Sequence, residues 1–207
     1  MPIVNYASRE ITSKIVYYGP ARSGKTTNLQ YIHTTVPEAR RGPIVSLATE
    51  GDRTLFFDYL PLDLGTISGY RTRMQLYTVP GQVYYDSTRR LVLQGADGVV
   101  FVADSRLDRQ AENLESFRNL QSNLLDQGVD PRSVPVCLQY NKRDLPDAAP
   151  ESELEAGLNF RALPAVGASA LSGEGVFETL EAISGLVLDR LSRRFDAERP
   201  LPGGAGG

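Results

Sequence analysis

Apolar residues along the chain fall into short β-branched runs separated by longer stretches with helical spacing. Lys14–Tyr18 (KIVYY) reads as a short buried strand, followed at once by the turn Gly19–Thr26 and then by a helix. That helix is expected to run to about Val36, because Pro37 cannot continue it and disfavours helical backbone just before itself. Leu55–Leu60 and Arg71–Val79 are strand-like, and turns at Pro61–Leu64 and Ser68–Gly69 predict that they pair antiparallel. Gly98–Asp104 (GVVFVAD) and Val134–Tyr140 (VPVCLQY) are continuous apolar runs, as expected of strands covered on both faces. A shorter strand is expected at Leu163–Val166. Leu107, Ala111, Leu114, Phe117, Leu120 and Leu124 recur at helical spacing, as do Val176, Leu180, Ile183, Val187 and Leu191. Both stripes predict helices facing a core. Strand and helix alternating at this interval predict an α/β fold, a mixed but mostly parallel, doubly wound sheet flanked by helices. Nothing repeats internally. One domain is expected over residues 1–196, and the Pro/Gly-rich residues 197–207 read as a disordered tail.

Composition narrows the class. With 207 residues, 41% hydrophobic and 23% charged, the chain can bury one sizeable core and is too short for two ordinary domains. Lys and Arg number 22 against 25 Asp and Glu, a net charge of −3, which argues against a nucleic-acid binder and a polybasic membrane anchor. No stretch approaches the roughly 18 apolar residues of a membrane span. The opening MPIVNYASRE predicts no signal peptide, and neither a carboxyl-terminal cysteine motif nor a glycine at position two encodes a lipid anchor. Cys137 stands alone, so a reducing compartment, the cytoplasm, is the expectation.

Gly19-Pro20-Ala21-Arg22-Ser23-Gly24-Lys25-Thr26 fits GxxxxGK[ST] between a predicted strand and a predicted helix, with Thr27 next in the chain. Successive backbone N–H groups curling round an anion need glycine where the chain turns tightly, and the following helix adds its positive end. Lys25 is then expected to bridge β- and γ-phosphates and Thr26 to give its hydroxyl to Mg²⁺. Of only three lysines, Lys14, Lys25 and Lys142, two fall inside nucleotide motifs.

The second of these motifs, Asn141-Lys142-Arg143-Asp144, follows the VPVCLQY strand, at the strand end where ligands of open α/β sheets sit. A carboxylate at Asp144 accepts from two adjacent guanine donors, the ring N1–H and the exocyclic amine, whereas adenine offers the opposite polarity at its ring nitrogen. Lys142 is expected to lay its stem on the base and Asn141 to tie this loop to the phosphate loop. Ser169 and Ala170 sit in a third loop, and the Ala170 N–H is expected to reach the guanine O6.

Thr78-Val79-Pro80-Gly81-Gln82 follows the second strand of the hairpin. Gly81 is expected to place its N–H near a γ-phosphate and Gln82 to orient the attacking water. Before the edge strand, Thr54 is expected to complete Mg²⁺ binding, and Arg53 is either a solvated loop arginine or an arginine finger from the same chain. His33, alone of its type, is expected to be at the surface or partly packed. Tyr84 and Tyr85 are equally a partner surface or a packed pair.

The segments GPARSGKTTNLQYI, SLATEGDRTLFFDYLP, LYTVPGQVYYDSTRRLVLQGADGVVFVAD and YNKRDLPDA resemble the bacterial Ras-like GTPases of the MglA type, which set cell polarity and gliding motility. The similarity runs from about Asn5 to Leu191. Within it, TVPGQ is distinctive, because Thr78 stands where most Ras-like proteins carry aspartate. The resemblance implies a P-loop NTPase of Ras-like fold, a GTP/GDP switch with Mg²⁺, catalysis by Arg53 and Gln82, effector proteins, and a roadblock-type (MglB-like) partner that stimulates hydrolysis. Departures are Ala21 and Arg22, where glycine and a bulky residue are usual, and Leu171 in place of a lysine. The Ala21 methyl points where Gln82 settles, so intrinsic hydrolysis is expected to be slow, on the order of ~10⁻⁴ s⁻¹. Without a carboxylate at Thr78, Asp52 is the nearest replacement near Mg²⁺. Two alternatives stay open: a GTP-binding adaptor disabled in turnover by Ala21 and Arg22, and a kinase or ATPase, against which Asp144 stands.

Overall fold

The computed structural model describes residues 2–47, 57–67, 69–81 and 85–198. Its first long strand, β2 (Glu10–Tyr18), begins four residues before the expected start and is preceded by a short strand, β1 (Ile3–Asn5). Burial along β2 alternates at first and becomes continuous toward its end. The early half has only antiparallel β1 on one side, in register Ile3↔Thr12, whereas the later half gains the parallel strand β6 (Gly98–Asp104) there. A run read only by continuous apolarity therefore misses the half-covered part.

The predicted hairpin is present as β4 (Phe57–Ile67) and β5 (Tyr70–Thr78), paired antiparallel from Tyr59↔Tyr77 to Ile67↔Tyr70. The turn expected at Pro61–Leu64 is not: β4 runs straight through, with a register shift between Asp63 and Gly65. Pro61 is tolerated because its carbonyl, and hence its missing N–H, faces the outer side, where only the Gly42 N–H reaches it. There the edge strand β3 (Val45–Leu47) has already ended, since it pairs only with Phe57–Tyr59. Residues 55 and 56 of the expected strand lie outside the described residues.

β6 has the expected bounds, β7 (Val136–Asn141) begins just after Pro135, and β8 is Ala165–Gly167. Among the described residues the sheet has eight strands in the order β3-β4-β5-β2-β6-β7-β8, with β1 beside β2; β5, β2, β6, β7 and β8 are parallel. Five α-helices flank it: α1 (Lys25–Thr35), α2 (Asp86–Leu93), α3 (Gln110–Asp126), α4 (Glu151–Leu158) and α5 (Val176–Glu198). Leu107, expected in the core stripe, lies in a 3₁₀ turn and is 55% exposed; Ala111 is exposed too, so the buried stripe of α3 starts at Asn113. The α5 stripe is buried throughout. The last helix continues through Glu198, past the expected start of the tail, and residues 199–207 lie outside the described residues. Among the described residues no helix is long and apolar enough to cross a membrane.

The core forms two layers. Val16, Tyr18, Phe101 and Leu138 meet Phe117 and Leu120 of α3 and Leu154 of α4 on one face; Ile15, Tyr17, Val100 and Cys137 meet α1 and α5 on the other. Three buried polar side chains cross the second layer. Asn28 of α1 donates to Gln139 of β7 at 2.8 Å, and Gln139 donates back to Asn28 and on to Thr179 of α5, each at 3.0 Å. This fixes α1 to both the sheet and its neighbour α5. The chain leaves the carboxyl end of β2 through α1 toward the β3 side of the sheet, and leaves that of β5 through α2 toward β6 on the other side, which opens a crevice at this edge.

Candidate nucleotide site

Gly19–Gly24 occupy that crevice between β2 and α1. Gly24 caps α1 with φ of 100°, and a Cβ at Gly24 would stand 2.1 Å from the Asn141 amide nitrogen, so no other residue fits. Arg22 is also left-handed, at φ 60°. Such turns suit a loop whose backbone N–H groups surround an anion, and α1 begins with neither a side-chain cap nor an acidic residue in its first turn. Its positive end is left to act on whatever sits above it. Lys25 is buried; its Nζ donates to the carbonyls of Gly19 at 2.9 Å and Pro20 at 2.6 Å and lies 3.5 Å from the Ser23 hydroxyl. Burial pulls the Lys25 ammonium down to about 7, and Arg89 and Lys142 push the same way against the pull of Asp58. An anion placed beside this ammonium would favour its charged form.

One side of the loop opens into a cavity of about 510 Å³, lined among others by Arg22, Lys25, Thr26, Thr27, Asp58 and Gly81. Asp58 is a residue that sequence reasoning missed. Its Oδ2 accepts from the Thr26 hydroxyl at 2.6 Å and from the Thr78 hydroxyl at 3.0 Å, and its Oδ1 from Ser46 at 2.7 Å. The Asp58 N–H donates to the Thr78 hydroxyl oxygen at 2.9 Å, which fixes the strand pair at this level. Hence a carboxylate does stand beside Thr26, on the strand opposite Thr78. One carboxylate and one hydroxyl, both hard oxygen donors, suit Mg²⁺ shared with phosphate oxygens, which needs no larger acidic cage. Among the described residues no cluster of three or more His, Cys, Asp or Glu could hold a metal alone.

The other side opens into a cavity of about 310 Å³ containing Asp144, Lys142, Asn141, Ala170, Leu171 and Arg106. Asn141 is the joint between loops: its Nδ2 donates to the Ser23 carbonyl at 2.7 Å and its Oδ1 accepts from the Ala170 N–H at 2.8 Å. The expected tie to the phosphate loop is present. The Ala170 amide is thus engaged by Asn141 in the chain alone, and a base oxygen within its reach would share this donor. Ser169 is buried and supports the turn, its N–H donating to Glu174 and its carbonyl accepting from Gly173. Arg143 N–H donates to the Ala168 carbonyl at 2.9 Å, a second tie between these two loops. The Asp144 carboxylate is exposed at the cavity rim.

Gly81 lies against the phosphate loop: a Cβ there would come within 2.4 Å of the Ala21 backbone. Gln82, Arg53, Thr54, Asp52 and Tyr84 lie outside the described residues. His33 is half-buried on α1, against an Arg41 guanidinium nitrogen at 2.5 Å. Behind Gly81, Asp86 and Arg90 of α2, Asn119 and Asn123 of α3 and the Tyr18 hydroxyl share one polar network, which latches α2 onto α3.

Residues 60–187 match the ADP-ribosylation factor family. The mutual gliding-motility protein MglA of Myxococcus xanthus (strain DK1622) is 55% identical over 193 residues, 93% of this chain and 99% of that protein. The chain belongs to the MglA-like small GTPases of this family. More distant relatives of this GTPase are the ADP-ribosylation factor-like protein 6 of Caenorhabditis elegans, 28% identical over 89% of this chain and 85% of that one, and that of Caenorhabditis briggsae, 30% identical over 87% and 89%. Both cavities described above open on the carboxyl edge of the sheet, where open α/β folds take their ligands.

Proposed function

We propose that the chain binds GTP and GDP with Mg²⁺ across this crevice, hydrolyses GTP slowly on its own, and serves as a switch for gliding motility, which the name of its Myxococcus relative states, or for cell polarity. The observation that carries the nucleotide assignment is the double hydrogen bond of Asn141, which brings the base-facing loop and the phosphate loop onto one edge. Lys25 and the amides of Arg22–Thr27 hold the phosphates, Asp144 reads guanine, and Lys142 lies along the base. Thr26 and Asp58, joined by Thr54, would hold Mg²⁺, which would supply neutralisation of the phosphate charge. Gln82 orients the attacking water, Gly81 offers its N–H to the γ-phosphate, and Arg53 neutralises charge that spreads over the γ-phosphate oxygens. Segments held by the γ-phosphate relax afterwards and change which partner binds, a roadblock-type activator and effectors at a cell pole. The deciding experiment measures binding of fluorescent GDP and ATP analogues, then follows GTP turnover with and without a roadblock-type partner. Equal uptake of ATP overturns the assignment.

Gly81 lies against the Ala21 backbone, so residue 21 stands beside the segment that leads into Gln82, which supports the reading that its methyl slows turnover. Ala21→Gly is expected to raise single-turnover hydrolysis severalfold, whereas an unchanged rate removes the methyl from the account. Arg53→Ala with saturating partner is expected to lower turnover by about 10³-fold.

Asp58→Asn is expected to raise the Mg²⁺ concentration that half-protects bound GDP from release by about tenfold, because one charged ligand-side acceptor is lost. Release traces in buffered Mg²⁺ that superimpose on wild type would remove Asp58 from the metal site.

Phosphates placed beside Lys25 favour its charged form, so binding raises a pKa that stands at about 7 in the chain alone. Below that pH the lysine is already charged and affinity is flat. Above it, each bound nucleotide takes up a proton and affinity falls by up to about tenfold per pH unit. Calorimetry in buffers of unequal ionisation enthalpy checks this: proton uptake approaching one per site at pH 8 and little at pH 6.

A further inference from the structure

The base-side cavity has one wall whose charge is anchored from behind. Asp104 ends β6, its side chain is 1% exposed, and it contacts two cations of that wall. Its Oδ2 accepts from Lys142 Nζ at 2.6 Å and from an Arg106 guanidinium nitrogen at 2.9 Å; its Oδ1 accepts from Arg106 Nε at 3.1 Å and the Arg106 N–H at 3.2 Å. Its backbone cannot drift, because Asn113 of α3 accepts from the Asp104 N–H at 2.9 Å and donates to its carbonyl at 2.8 Å. In the sheet it stands level with Asn141, the residue just before Lys142. Burial raises the carboxyl, but hydrogen bonds from Arg106 and Lys142 outweigh it and hold the group below the ordinary carboxylate range.

Lys142 itself is strained. Its φ is 71°, a left-handed backbone that a side chain bearing Cβ adopts only when its surroundings compel it. A free lysine stem also carries much rotamer entropy, so an unanchored one is poorly organised for laying along a ring. The opposite wall offers little help: Leu171 is 80% exposed and has no polar head to hold it in place.

From this juxtaposition we propose that Asp104 is the positioning residue of the base end, pinning the Lys142 ammonium so that its stem lies ready along guanine and thereby setting how long the nucleotide stays bound. The role rests on the assignment of this cavity to guanine made above. Asp104 touches no base; it acts through Lys142. Arg106 shares the carboxylate and completes the same wall.

The test is the dissociation rate of a fluorescent GDP, measured for wild type, Asp104→Asn, Lys142→Met and the double variant, with the melting temperature of each. Asp104→Asn is expected to release GDP about tenfold faster. In the Lys142→Met background, which keeps an apolar stem and lacks the ammonium, the same change adds less than about twofold. Asp104→Glu, charged but one methylene longer, recovers most of the wild-type residence time. Should Asp104→Asn not fold, Asp104→Ser against Asp104→Glu supplies the comparison. Equal release from wild type and Asp104→Asn overturns the positioning role, as does a tenfold effect that persists undiminished without the ammonium. A wild-type chain that takes up no GDP overturns the nucleotide assignment itself, and this role with it.

Discussion

Asp144→Asn is expected to lower affinity for GDP by about 10²–10³-fold and to raise that for the xanthine nucleotide above it. The carboxylate accepts from two guanine donors at once, each bond charge-assisted and worth roughly 1.5–3 kcal/mol. Asparagine keeps one acceptor and turns the other into a donor. Guanine then meets an amide N–H with its exocyclic amine, whereas xanthine presents an oxygen at that position and pairs with both atoms of the amide. Asp144 is an exposed rim residue, so the fold is not at stake. Competition of GDP, XDP and ADP against a fluorescent nucleotide reads the exchange directly. A variant that still prefers GDP over XDP would show that another group reads the base.

The second large effect is at Lys25. Lys25→Met is expected to weaken GDP and GTP binding by at least about 10³-fold, since it removes the buried cation facing the phosphates. Its stability effect should run the other way. The buried ammonium is held by two carbonyls and sits far below its ordinary pKa, which marks it as unfavourable in the folded chain alone. Exchange for an apolar chain of similar length therefore leaves the melting temperature of the nucleotide-free protein unchanged or higher. Binding loss together with a marked fall in melting temperature would mean that Lys25 serves the fold first.

How much of this was legible in the sequence depended on burial. Gly98–Asp104 is buried at every position and its bounds were read without error, and the five-residue stripe from Val176 to Leu191 is wholly buried in α5. Elements that show a partner only one face, or that are very short, were missed: β1 and β3 have three residues each, and α2 (DSTRRLVL) and α4 (ESELEAGL) are single short helices with mostly polar faces. Pro61 suggested a turn because sequence does not show which side of a strand lacks a neighbour. The two nucleotide motifs were readable because each is a contiguous string tied to a strand end. Asp58 was not, since its place beside Thr26 arises from hairpin register: Tyr59 pairs with Tyr77, which sets Asp58 level with Thr78. A threonine standing where a carboxylate was wanted was the signal, and counting back across the hairpin would have found it.

The buried ladder of Asn28, Gln139 and Thr179 has a kinetic consequence. It bolts the helix under the phosphates to β7 of the sheet and to the long carboxyl-terminal helix, so the floor of the crevice cannot drop away to let a ligand out. Exit must come from the rim, either by prising Asn141 off Ser23 or by swinging the Asp58–Gly81 wall outward. A factor that speeds exchange would thus have to grip one of those two edges, and a protein docked only on the outer surface of α5 would leave the off-rate untouched.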